Sequence, residues 1–347
     1  MERAGPARRA PRCKPCLGAA IGLAAVLLLA MQAWAAPPSW QREWPRTDFS
    51  RALVPFDEIL SGGPSKDGIP AIDNPAFVPL AEARDLAARE PVIGLTVNGE
   101  SRAYPLRILT WHEIVNDTLG GVPVAVTYCP LCNAAIVFDR RLDGRVLDFG
   151  TTGKLRHSDL VMYDRQTESW WQQFGGEAIV GELAGKRLRM IPSRLESFAS
   201  FRARLPAGEV LAPPAQYRRP YGHNPYVGYD SSAAPAFFSG PLHDRVPAMA
   251  YVVAVGDTAW TLELLRAEGR IQAGELELSW RAGNASALDA RDISAGRDIG
   301  NVVVQRRGAD GTREDIVYDL TFAFVFYAFR PDGVLHTADG PLTWSGR

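Results

Sequence analysis

Apolar and polar residues alternate with a period of two along much of the chain. In "VIGLTVNGESRAYPL" (92–106) two such runs flank Asn98-Gly99, which predicts a β-hairpin with a tight turn. In "VPVAVTYCPLCNAAIVFDR" (122–140) Val122, Val124 and Val126 mark one strand, and Ala135 to Phe138 a second. "RVLDFG", "SDLVMYDR" and "SWWQQF" read as further strands separated by turn residues. Helical composition is confined to short pieces. "LAEARDLAARE" (80–90) and "ESFASFRARL" (196–205) predict helices. "RILTWHEIVNDTLGG" (107–121) predicts a third, capped by Thr110, ended by Gly120, with Leu109, Ile114, Val115 and Thr118 inward. "DIVYDLTFAFVFYAFRPDG" (315–333) predicts a buried aromatic strand.

Between these lie irregular stretches. Residues 37–50 read as an extended lead-in, 61–80 as a loop rich in Gly, Pro and Asp, and 206–245 as a long connection. "VNGESRAYPLRIL" (97–109) is echoed by "VGDTAWTLELL" (255–265), with no cysteine after the second copy; duplication and chance similarity both stand. The expected fold is α+β and β-rich, mostly antiparallel with a few short helices, in two related halves: 36–210, carrying the cysteines, and 211–347, a degenerate repeat.

The N-terminus has a different character. Arg3, Arg8, Arg9, Arg12 and Lys14 precede an apolar run from Leu17 to Ala30, followed by small residues at Ala33 and Ala35. That order is a secretory signal peptide, expected over 1–35, with cleavage after Ala35. The alternative is an uncleaved membrane anchor over 17–36. Either way the body of the chain is expected in the periplasm or secreted. Cleavage would remove Cys13 and Cys16 and leave Cys129 and Cys132 as the mature cysteines, too few for a disulfide framework.

The mature body of about 310 residues is long enough for a sizeable core. Of the 347 residues, 46% are hydrophobic and 22% charged, and the net charge is −1. Those values suit a globular protein and give no basic field for nucleic acid. The "FGTTGKLRHSD" stretch lacks phosphate-loop spacing, so no nucleotide cofactor is indicated.

Chemistry centres on Cys129-Pro130-Leu131-Cys132. A thioredoxin-type redox pair needs a helix N-terminus to lower a thiol pKa, but Ile136, Val137 and Phe138 favour strand. A metal knuckle fits a tight turn between strands: Pro130 fixes φ and Asn133 accepts the left-handed conformation. Thiolates select copper(I), zinc or iron–sulfur. Two sulfurs leave a site incomplete, so His112, just before the knuckle, is the first candidate for a third ligand, with His157 and Met162 as weaker ones. "WHEIVND" lacks the second histidine of H-E-x-x-H, because Asn116 stands there; Glu113 remains as a candidate base or supporting residue. A structural disulfide is the third reading. His223, His243 and His336 carry no motif.

"SGGPSKDGIPAIDNPAF", "RILTWHEIVND", "VTYCPLCNAAIVFDR" and "FGTTGKLRHSDLVMYDRQTESWWQQFGGEAIVGELAG" resemble the bacterial domain of unknown function 3179, over residues 55 to 335 or so. The resemblance implies an exported protein and no defined activity. His157 stands where the resemblance leads one to expect Asn. The function expected is transition-metal binding (copper or zinc) at Cys129, Cys132 and His112, with a periplasmic redox or metal-handling partner. A thiol- or metal-dependent oxidoreductase and a binding module with a structural CxxC are the alternatives.

Overall fold

A computed structural model describes Met1, Gly5 and residues 35–344. The signal segment, Cys13 and Cys16 lie outside the described residues. The α+β expectation is overturned. The chain is mostly β, 14% helical, and forms a five-bladed β-propeller of small sheets.

The first blade runs β15 (Arg194–Ser197), β4 (Pro91–Val97), β5 (Glu100–Pro105), β16 (Glu209–Leu211) and β3 (Phe77–Pro79). The second runs β2 (Ile72–Asp73), β6 (Ile114–Leu119), β7 (Val122–Cys129) and β8 (Ala134–Asp139). The third runs β1 (Ile59–Ser61), β11 (Phe149–Arg156), β12 (Asp159–Asp164), β13 (Trp170–Gln172) and β14 (Glu177–Val180). The fourth runs β23 (Asp319–Phe322), β17 (Tyr251–Val255), β18 (Thr258–Thr261), β24 (Val334–Thr337) and β25 (Gly340–Thr343). The fifth runs β19 (Arg270–Ala273), β20 (Leu276–Arg281), β21 (Asn301–Arg307) and β22 (Arg313–Asp315). A small ribbon pairs β9 (Arg141–Leu142) with β10 (Arg145–Val146).

Helices are single short segments between strands: α1 (Pro38–Glu43), α2 (Leu106–His112), α3 (Phe198–Arg204), α4 (Leu262–Glu268) and α5 (Ala323–Phe329). Several differ from the sequence pattern. The 107–121 helix stops at His112, and Ile114–Leu119 becomes a strand paired with β7. β-branched Ile114 and Val115 fit that pleated surface better than a helix. Thr110 lies inside α2 and its hydroxyl bonds back to Leu106 O. Residues 80–90 form successive turns, and α1 interrupts the lead-in. The terminal aromatic strand ends at Phe322 and continues as α5, where Ala323 to Tyr327 are all buried.

Blades one and four share one plan. In each, a central hairpin (β4–β5, β17–β18) gains an antiparallel strand on one side (β15, β23) and a parallel strand on the other (β16, β24). A short helix follows each hairpin (α2, α4) and leads into three antiparallel strands (β6–β8, β19–β21). Blade three lies between the two series in sequence.

The β11–β12 hairpin, which reaches the functional site, carries a bulge between Thr151 and Lys154. Gly153 holds it with φ +68, and a Cβ there would collide with the Pro64 carbonyl. We expect Gly153→Ala to destabilise the fold by roughly 2–4 kcal/mol in denaturant unfolding; a loss within experimental error would show that the bulge is not constrained.

Candidate functional site

Cys129 ends β7 and Cys132 lies in the turn to β8. The turn is closed by Cys132 N–H to Cys129 O and by Asn133 N–H to Pro130 O. Asn133 takes φ +49, the left-handed conformation its residue type permits. Its amide donates to Leu320 O at 2.9 Å, and Thr321 Oγ1 donates to Cys132 O at 2.7 Å. The turn is thereby fastened to β23 of the fourth blade.

Both thiols are free and buried. Asp159, at the start of β12, completes a group: its carboxylate and the two sulfurs lie within 4.8 Å of one another. A two-residue turn, His157-Ser158, places it. Arg156 pairs with Asp159 across that turn, and both turn residues have positive φ. The Cys129 thiol donates to Ser158 O at 3.7 Å. Gln172 Nε2 and Phe174 N–H donate to Asp159 Oδ2, whereas Oδ1 is buried with no partner of hydrogen-bonding geometry.

Glu113 acts on this group electrostatically. It follows α2 directly, and its backbone links helix to strand: its N–H bonds Leu109 O, and its carbonyl accepts from Tyr128 N–H. Burial, then the nearby Asp159, raises its carboxyl to about 8. Burial raises Asp159 to about 7 against the opposing Phe174 N–H and Gln172 amide. Burial also pushes both thiols up. Elsewhere, buried carboxylates such as Glu90, Asp117, Glu196 and Asp230 each pair with an arginine. Among the described residues neither Asp159 nor Glu113 forms an ion pair with a basic residue. The site is acidic, dry and short of positive charge.

Glu113 also carries strain. Its φ, ψ are 60°, −32°. The residue in the same place after α4 is Gly269, at 68°, −31°. Gly269 makes the same two bonds, N–H to Leu265 O and carbonyl from Trp280 N–H. The local geometry therefore suits glycine, and a glutamate there costs about 1 kcal/mol or more. The cysteine-bearing series keeps glutamate; the other keeps glycine.

The predicted ligand His112 lies outside the Cys129–Cys132–Asp159 group. It is buried, with Nδ1 at 2.7 Å from Pro70 O and Nε2 at 2.7 Å from Tyr221 OH, so both nitrogens are engaged. Burial lowers its pKa. His157 points to a surface cavity, 3.5 Å from Glu58 Oε2, and burial lowers it to about 4. Met162 is buried in the main core, opposite Trp171 in register. Asp159 was the residue missed. The signal was there: a lone acid opening an apolar strand, directly after a two-residue turn.

The chain belongs to the family described as "Protein of unknown function (DUF3179)", which it matches over residues 66–333. No curated protein and no solved structure matches it. Among the described residues no helix is long and apolar enough to cross a membrane.

Two outcomes are expected of metal-free protein. Glu113→Gly should unfold at higher temperature than wild type, because strain and a buried carboxyl go together; a lower Tm would contradict the assignment of strain. Glu113 and Asp159 hold protons in the folded state at pH values where the unfolded chain, with ordinary values of 4.5 and 3.8, has lost them. Their contribution to stability is therefore full below about pH 4 and drains as pH rises towards 8. Between pH 5 and 8, Glu113→Gln should lose less stability than wild type; equal slopes would place the Glu113 carboxyl in water.

Proposed function

We propose that this chain is an exported metal-binding protein whose ion is held by the thiolates of Cys129 and Cys132 and the carboxylate of Asp159. The observation that carries this reading is the partnerless Asp159 oxygen, buried beside two free thiols. A cation there relieves the cost of burying three ionisable groups without a counter-charge. The two sulfurs and one oxygen favour zinc over copper(I), which prefers sulfur throughout. Zinc sites of this kind take three or four protein ligands. His112, with both nitrogens bonded, is left to position α2 and the strand that follows. Delivery, storage or support of a redox partner are the roles such a site serves.

A thiol oxidoreductase is the second reading, favoured by the proximity of two free thiols to a buried acid. It is weakened by the raised thiol pKa values and by a strand, not a helix, on each side of the pair.

Anaerobically purified mature protein is expected to take up about one equivalent of zinc. Cys129→Ser should reduce affinity by more than the 10–100-fold typical of outer ligand-supporting changes, and Asp159→Asn by about that range. Because the ligands bind as anions, affinity should rise with pH through 7 to 8. No zinc uptake in competition titration, with a dithiol cycling at a measurable potential, would replace metal binding with the redox reading.

A further inference from the structure

The group at Cys129, Cys132 and Asp159 is shut from water: the two cysteines are 2% and 0% exposed and Asp159 is 0%. An ion must enter through whichever wall opens most easily. Asp159 is held from β13 by Gln172 and by the Phe174 N–H that follows that strand. The β7–β8 turn is fastened to β23. A further wall is the His157-Ser158 turn with the segment around Ala236. The turn lies at the end of the β11–β12 ladder, and the Ala236 segment belongs to no strand. Ser158 Oγ donates to Ala236 O, Ala236 N–H donates to Tyr229 OH, and Tyr229 OH donates to Leu131 O.

Directly outside this wall lies a cavity of about 440 Å³. Its lining includes His157, Glu58 and Asp57, with Leu60 and Phe237 beside them. His157 Nε2 and Glu58 Oε2 are 3.5 Å apart. Arg156 also bonds Glu58 and fixes that carboxylate in place. Successive residues thus span the wall. His157 faces the cavity, the Ser158 carbonyl accepts from Cys129, and Asp159 joins the thiols. His157 and Ser158 both hold positive φ, at 54° and 69°. A two-residue turn can be built from Asn and Gly without that strain, so a histidine there points to a use for its ring.

We propose that this cavity is a loading vestibule, in which His157 and Glu58 capture a divalent cation before it passes the Ser158 turn to the thiols. The inference rests on the metal-binding reading and assigns it a route. Two carboxylates, Glu58 and Asp57, outnumber the Arg156 guanidinium that pairs with Glu58, so with the imidazole they raise the local concentration of a dication at the cavity mouth and its rate of capture. They do not enter the final donor set, so they affect the rate of loading and leave the equilibrium alone.

Cobalt(II) is the probe, because thiolate coordination gives it a charge-transfer absorption that stopped-flow can follow. Mature full chain is compared with His157→Asn, which keeps a residue suited to positive φ, and with Glu58→Gln. Each variant is expected to load cobalt about tenfold more slowly, with affinity by chelator competition within twofold of wild type. Unchanged rates in both variants overturn the vestibule while leaving the metal site intact. An affinity loss that accounts for the whole rate loss also overturns it, by making His157 a ligand. Absence of the thiolate absorption in wild type itself sinks the metal-binding reading, and the vestibule with it.

Discussion

The site depends on charge buried without compensation. Water is excluded from Cys129, Cys132, Asp159 and most of Glu113, and among the described residues no lysine or arginine forms an ion pair with either carboxyl. Each group answers in the only direction available, by holding its proton. Protonated, the four groups form a nearly neutral pocket that the fold tolerates. A cation arriving there would reverse the balance, because every one of these groups gains by becoming an anion beside it. The blades supply the dryness. Gln172 and Phe174 close one side, and the bonds of Asn133 and Thr321 to and from the fourth blade close another.

The second series of strands shows what the same plan does without cysteines. In place of the four-residue turn, β20 and β21 are joined by a long loop over 282–300. Its buried acid, Asp230, arrives from the preceding connection and is provided for: Ser286 and Tyr251 donate hydrogen bonds, and Arg297 stands 2.9 Å away. Each acid collects its donors on Oδ2 and leaves Oδ1 buried without a partner, so what separates them is the Arg297 counter-charge beside Asp230. Asp159 lies by the β7–β8 turn and Asp230 by the β20–β21 loop; Asp230 has a counter-charge in Arg297, and Asp159 pairs with no basic residue among the described residues.

What could be read from the residues was local. Alternation located β4, β5, β7, β8 and β11 to β13, but not β6, which reads as helix; Asn98-Gly99 gave a hairpin, and the Pro-Leu-Cys-Asn order gave the turn. The closing of these strands into five blades was not legible, because it rests on returns over long separations. β15 comes back to β4 after about a hundred residues, and β16 then adds in parallel to β5. The third side chain of the cysteine group was illegible for the same reason. His112 is close to the cysteines along the chain, whereas Asp159 reaches them across a boundary between blades. Proximity in sequence favoured the imidazole; packing of the β11–β12 turn against the β7–β8 turn brings the carboxylate.

Glu113 ties these threads together. Its left-handed backbone is imposed by bonds on both sides, to Leu109 O and from Tyr128 N–H, so the junction keeps that shape whatever side chain it carries. Gly269 shows the unstrained solution to the same junction. A carboxyl placed there gains no ion pair and loses its hydration, so nothing in folding favours it. Strain that persists at a position the fold does not need is the mark of a side chain retained for what it does. It acts electrostatically on Asp159 and Cys129, both members of the pocket. The cost of this glutamate therefore falls at the junction leading into the cysteine-bearing strands, and the matching junction after α4 is free of it.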